Sequence, residues 1–171
     1  MDSNDYGIDA EKLKAVWERV MAANIAEPAE PESVKPAPSL QKSDAERLVE
    51  LIDAASAAAD TYRACASRCA GKIRRELMSL SSAQATSAQK LRARYYILTG
   101  HNYSPPASCP YVIALPKTLA LRYEAEKSAY SDYIKGANET QDTSLSDLFF
   151  ALAALSQRNA DALLCLLESL L

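Results

Sequence analysis

The chain has 171 residues, 49% of them hydrophobic, and a formal charge of −3 with a pI near 5.3. That length buries one core with a tail but hardly two, and the acidic balance excludes a general nucleic-acid binder, which needs a basic surface to displace counterions from phosphate. No apolar run approaches the roughly 18 residues of a membrane span, and the start Met1-Asp2-Ser3-Asn4-Asp5 is acidic where a secretion signal is basic, so a cytoplasmic protein with no membrane partner is expected.

Ala and Leu abound, glycine is scarce and proline is confined to two stretches, the usage of an all-α protein. Residues 1–24 form an N-terminal segment in which Asp9 caps a short helix over 9–21, with Leu13, Val16, Trp17, Val20 and Met21 on one face. That face needs cover, either as a strap on the rest of the chain or as a ligand for another protein. Residues 25–42 read as an extended Pro/Glu/Ala linker. Four long helices follow over 43–171. The first opens on the capping box Ser43-Asp44-Ala45-Glu46 and runs to about Cys69, before Gly71 interrupts it. The second spans about 73–99 and stops at Gly100. Residues 101–116 carry Pro105, Pro106 and Pro110 and read as an irregular crossing, in which only the run Tyr111-Val112-Ile113-Ala114-Leu115 gives a strand any support. A third helix covers about 117–136, and the last begins at Ser144-Leu145-Ser146-Asp147 and nearly reaches the C-terminus. Two short turns around one long connection describe a four-helix bundle whose second and third helices run parallel.

The second half echoes the first at an offset of about 72 residues, the sign of a duplicated helix pair. Leu77, Leu80, Ala88, Leu91 and Leu98 answer to Phe149, Leu152, Ala160, Leu163 and Leu170. One residue off that register, the stretch ending at Tyr62 matches Glu126-Lys127-Ser128-Ala129-Tyr130-Ser131-Asp132-Tyr133. Unrelated amphipathic helices drawing on the same few residue types are the alternative.

The repeated frames are Leu80-Ser-Ser-Ala-Gln84-Ala-Thr-Ser87-Ala-Gln-Lys-Leu91 and Leu152-Ala-Ala-Leu-Ser156-Gln-Arg-Asn159-Ala-Asp-Ala-Leu163. On these frames, and on Tyr62 and Tyr133, residues 43–171 resemble the ferritin-like, rubrerythrin-type family, particularly its compact bacterial members; the leading Val16-Trp17-Glu18-Arg19-Val20-Met21 helix resembles theirs too. The resemblance implies a ferritin-like bundle with a long middle crossover, in which Glu-x-x-His from the second and fourth helices and a Glu seven residues before each Tyr hold a di-iron pair. The six corresponding positions here are Ala55, Gln84, Ser87, Glu126, Ser156 and Asn159, so Glu126 alone keeps the ligand type. A pair of divalent ions brings at least four positive charges into the interior, which one carboxylate among neutral side chains does not offset. These positions are therefore vestigial, and no metal or other cofactor is expected. Glu126, a lone acid in a poorly solvated place, is expected in its protonated form, held by Gln84, Asn159 or a tyrosine hydroxyl, unless a register one residue off turns it to solvent.

Other chemistry is sparse. The single histidine, His101, lies in the crossing and reads as a surface residue. Cys65, Cys69, Cys109 and Cys165 lack Cys-x-x-Cys spacing and read as reduced, buried thiols, with a soft-metal site of Cys65, Cys69 and Cys165 as the lesser alternative. The leading expectation is a non-enzymatic scaffold, assembly or interaction protein, paired with a second copy by resemblance, with a further protein partner that the sequence does not name. One alternative is a metal-binding or oxidoreductase protein in which Glu126 with Asp53, Asp60 or Glu124 holds iron or manganese. Another is a small-molecule site in the polar interior.

Overall fold

A computed structural model describes residues 43–170; the expected helix over 9–21 and the linker over 25–42 lie outside the described residues. The described residues form an all-α four-helix bundle with α1 at Asp44–Ala66, α2 at Gly71–Thr99, α3 at Leu115–Glu139 and α4 at Thr143–Glu168.

The capping box at the start of α1 is reciprocal: the Glu46 N–H donates to Ser43 Oγ at 3.3 Å and the Ser43 N–H donates to the Glu46 carboxylate at 3.0 Å. The helix ends at Ala66 and not at Cys69, because the N–H groups of Arg68 and Cys69 turn to carbonyls only three residues back, closing a tight turn. Gly71, at φ +60°, then opens α2. Gly100, at φ +73°, closes it, donating its N–H to Tyr96 O at 2.8 Å in the left-handed cap that glycine adopts without a Cβ penalty. The third helix begins earlier than the expected 117 because Pro116 sits in its first turn, where a missing N–H costs nothing. The fourth is capped by Asp142, not Ser144: Asp142 Oδ1 accepts from the Leu145 N–H at 3.0 Å, and its other oxygen takes Arg94 at 2.6 Å.

The extensive packing pairs are α1 with α2 and α3 with α4, with sparser contact between α1 and α3 and between α2 and α4. Arg94 on Asp142, Arg47 on Glu139 and Thr140 on Asp44 gather the start of α1, the end of α2, the end of α3 and the start of α4 at one end of the bundle. Helices α2 and α3 therefore run in the same direction. Residues 100–114 cross back along α1, tied by Tyr103 Oη to Asp53 at 2.9 Å, Ser108 Oγ to Asp60 at 2.9 Å and Arg68 Nη1 to Val112 O at 2.7 Å. The run 111–115 is irregular apart from the first residue of α3, and no strand occurs among the described residues. None of the described helices is long and apolar enough to cross a membrane.

Apolar side chains bury in two clusters, one around Ile52, Leu91, Tyr133 and Phe149 near the capped end of α1, the other around Tyr62, Leu77, Leu119 and Leu163. The repeated positions Leu77, Leu80, Ala88, Leu91, Phe149, Leu152, Ala160 and Leu163 are all buried, whereas Leu98 is 49% exposed and leaves the pattern. On α2, α3 and α4 the buried polar residues Ser81, Gln84, Ser87, Glu126, Ser156 and Asn159 fall between members of the two clusters, so a polar layer crosses the middle of the bundle.

Candidate functional site

All six frame positions are buried, with Ala55, Gln84, Ser87, Glu126, Ser156 and Asn159 each at most 6% exposed. Glu126 has no exposed surface, which removes the solvent-facing register. Each helix supplies one of the side chains that meet at its carboxylate or lie beside it, because positions three, four and seven apart stack on one helix face.

Three neutral donors reach Glu126. Tyr62 Oη and Gln84 Nε2 each donate to Oε1 at 2.7 Å, and Asn159 Nδ2 approaches Oε2 at 3.4 Å. A guanidinium adds charge: Arg122 Nη2 lies 3.5 Å from Oε1, with its Cζ 5.3 Å from the centre of the Tyr62 ring. Every group around this acid donates, an arrangement that suits a carboxylate. Burial, and then the negative charge of Glu126, push the Tyr62 and Tyr133 phenols far above the ordinary tyrosine range, which keeps Tyr62 a donor.

The remaining frame residues divide. Ser87 Oγ turns back to Ala83 O at 3.0 Å on its own helix. Ala55 and Ser156 line a cleft of about 380 Å³ between α1 and α3, together with Gln84, Arg122 and Glu126. Sequence reasoning missed Arg122; the available signal was its place four residues before Glu126, the spacing of a helical ion pair.

The acids considered as recruited ligands take other partners. Asp53 accepts from Tyr103, Asp60 from Ser108 and Arg63, and the mostly exposed Glu124 lies 3.7 Å from Lys127. Among the described residues no group of three or more His, Cys, Asp or Glu is placed to hold a metal ion. The residues of the polar layer do not fit a di-iron pair: such ions need several lone pairs pointing inward, and this layer points N–H and O–H groups at its one carboxylate. The cysteines are free, but only Cys65 is buried and only partly shielded Cys69 comes near it in exposure; Cys109 and Cys165 are exposed, contrary to the expectation of buried thiols, because they sit in the crossing and on the outer face of α4. Burial raises the Cys65 thiol above its usual range. His101 is exposed, its Nδ1 2.7 Å from Thr99 O. Compared with known proteins, the chain matches no family model and no curated relative.

Proposed function

We propose that the chain is a cytoplasmic, ferritin-like bundle that has lost the di-iron chemistry of that architecture and works as a non-enzymatic scaffold, assembly or interaction protein, paired with a second copy of itself. The observation that carries this reading is the saturation of Glu126 by Tyr62, Gln84, Asn159 and Arg122. In a di-metal bundle the interior charge is balanced by carboxylates around cations. Here the polarity is inverted, with one anion balanced by a guanidinium and by neutral donors, so the layer has a structural role that asks for no ion. The parallel course of α2 and α3 around a long crossing supports the architectural part of the reading.

The test is elemental analysis of the chain purified from culture supplemented with iron and manganese, beside the Glu126→Gln variant. Metal far below one ion per chain in both is expected. Near-stoichiometric iron or manganese that disappears in the variant would overturn the proposal in favour of a retained metal function.

A further inference from the structure

Charge is spread unevenly along the bundle, and the polar layer around Glu126 divides it. Residues 43–54, 86–107 and 128–156, on the side where α1 and α4 begin, hold eight Asp or Glu and five Lys or Arg. Residues 55–85, 108–127 and 157–170 hold six Asp or Glu and nine Lys or Arg. One half of the bundle is therefore negative and the other positive by the same amount. The helices add no polarity of their own, because α1 and α4 run against α2 and α3 and their dipoles cancel.

A second copy meets this polarity. Side by side in the same direction, two bundles set like charge against like along their whole length; reversed, each negative half lies beside a positive one. The reversed arrangement has its two-fold axis across the bundle, at the level where the charge changes sign, so the surface it uses must match itself about that level.

The outer face of α4 does so. Phe150, Ala154, Gln157, Asp161 and Leu164 are all exposed and recur at intervals of four and three, which places them in one stripe. The stripe is centred on Gln157, next to Ser156 of the polar layer. Phe150, 46% exposed, lies as far before Gln157 as Leu164, 43% exposed, lies after it, about 10 Å in each direction. Along a reversed α4 each Phe150 meets the partner's Leu164, and Gln157 meets its own counterpart on the axis. The corresponding stripe of α2, from Met78 to Tyr96, is interrupted by Arg92, which is held on the crossing.

We propose that a second copy of the chain packs on this stripe with α4 reversed, closing the pair on a two-fold axis at Gln157. The inference rests on the pairing put forward above and adds its surface and its direction.

The full chain carrying Cys109→Ser and Cys165→Ser, which remove the two exposed thiols, serves as parent and control. Single cysteines are added to it and oxidised mildly by dissolved oxygen with a copper catalyst. Gln157→Cys is expected to cross-link to its counterpart. Phe150→Cys and Leu164→Cys, each about 20 Å from its own counterpart, are not, but a mixture of the two is expected to give the cross-linked heterodimer. Phe150→Glu, with helical circular dichroism unchanged, is expected to raise the dissociation constant measured by sedimentation at least about tenfold. Phe150→Cys cross-linked to itself would mean that the copies run in the same direction. A chain that sediments as a dimer but cross-links at none of these positions, or whose folded Phe150→Glu variant pairs undiminished, would place the contact on another face. Each of these results overturns the inference and leaves the pairing standing, whereas a wild-type chain that is monomeric at every concentration removes both.

Discussion

At the scale of single residues the bundle turns on Glu126. A buried carboxylate is tolerated when its oxygens are served, and this one receives Tyr62, Gln84 and Asn159 with Arg122 beside it. Glu126→Leu removes the acceptor from all of them at once and is expected to destabilise the fold by about 2–4 kcal/mol, the lower end reflecting partial solvation of Arg122. Glu126→Gln retains one acceptor but turns an amide donor on the others, at an expected cost of about 1–2 kcal/mol. Urea unfolding monitored by helical circular dichroism measures both, and a Leu variant as stable as the wild type would show that the layer contributes nothing. The phenols add a pH dependence with a definite sign. Because Tyr62 and Tyr133 are raised above the ordinary value of 10.0 in the folded state, their contribution is fully present below about pH 10 and is lost as pH rises towards the folded values. Ultraviolet difference titration should show these two of the nine tyrosines ionising only as the bundle unfolds. The burial of the layer was legible in the spacing of the two frames, since a residue between Leu80 and Leu91 at helical period has one face to occupy. The pairing was not. Sequence spacing places side chains on a face, whereas the choice of Tyr62 and Arg122 as partners depends on how far long side chains reach across α1 and α3.

At the scale of elements, the ends of the helices show what local chemistry decides and what it leaves to packing. Ser43 with Glu46, and Gly100 after Thr99, were readable because each end is fixed by its own residues. The start of α4 was placed two residues late, since both Ser144 and Asp142 are competent caps and Arg94, distant in sequence, orders Asp142. Gly136 is a similar case of distant control. It lies inside α3, where alanine would ordinarily favour the helix by about 1 kcal/mol. A Cβ there would sit 3.0 Å from Arg47 Nη1 and 3.0 Å from the Phe149 ring, which is fully buried and has no room to swing away. Overpacking of this kind costs about 1–3 kcal/mol, and it would also press on the Arg47–Glu139 ion pair, whose hydrogen bond holds the Glu139 carboxyl below its usual range. The clash outweighs the propensity, so Gly136→Ala is expected to lower the unfolding free energy by about 1 kcal/mol, while Gly136→Ala in a Phe149→Leu background loses less. Chemical denaturation of the two pairs of proteins checks the sign, and a stabilised Gly136→Ala would mean that the ring yields.

At the scale of the molecule, the order of the helices around the bundle depends on residues 100–114, the one long connection among the described residues. The two helix pairs are joined by the ties to Glu126, by the contacts at one end of the bundle and by this segment, which has little regular structure of its own and is held against α1 by side chains. Tyr103 Oη shares its one proton between the two oxygens of Asp53, Asp60 takes Ser108, Arg92 donates to Tyr103 O at 2.9 Å, and Val112 inserts into the second apolar cluster at 4% exposure. The acids sit on α1 a helical turn or two apart, so the crossing is pinned at intervals along its length and not only where it leaves α2 and enters α3. Each exposed or half-buried tie of this kind contributes about 0.5–1.5 kcal/mol, small against the burial that holds the four helices. The physical consequence is a separation of stabilities: loss of the pins should loosen the crossing without melting the bundle. In the Asp53→Ala, Asp60→Ala double variant, native-state hydrogen exchange at residues 101–113 is expected to accelerate by about tenfold to a hundredfold, the factor that one to three kcal/mol of local opening gives, while the slowest amides of α1 and α4 change far less. If those slow amides accelerate in step with the crossing, the segment is not a separately held strap but part of one cooperative unit with the helices, and the order of the bundle is fixed by the interior contacts alone.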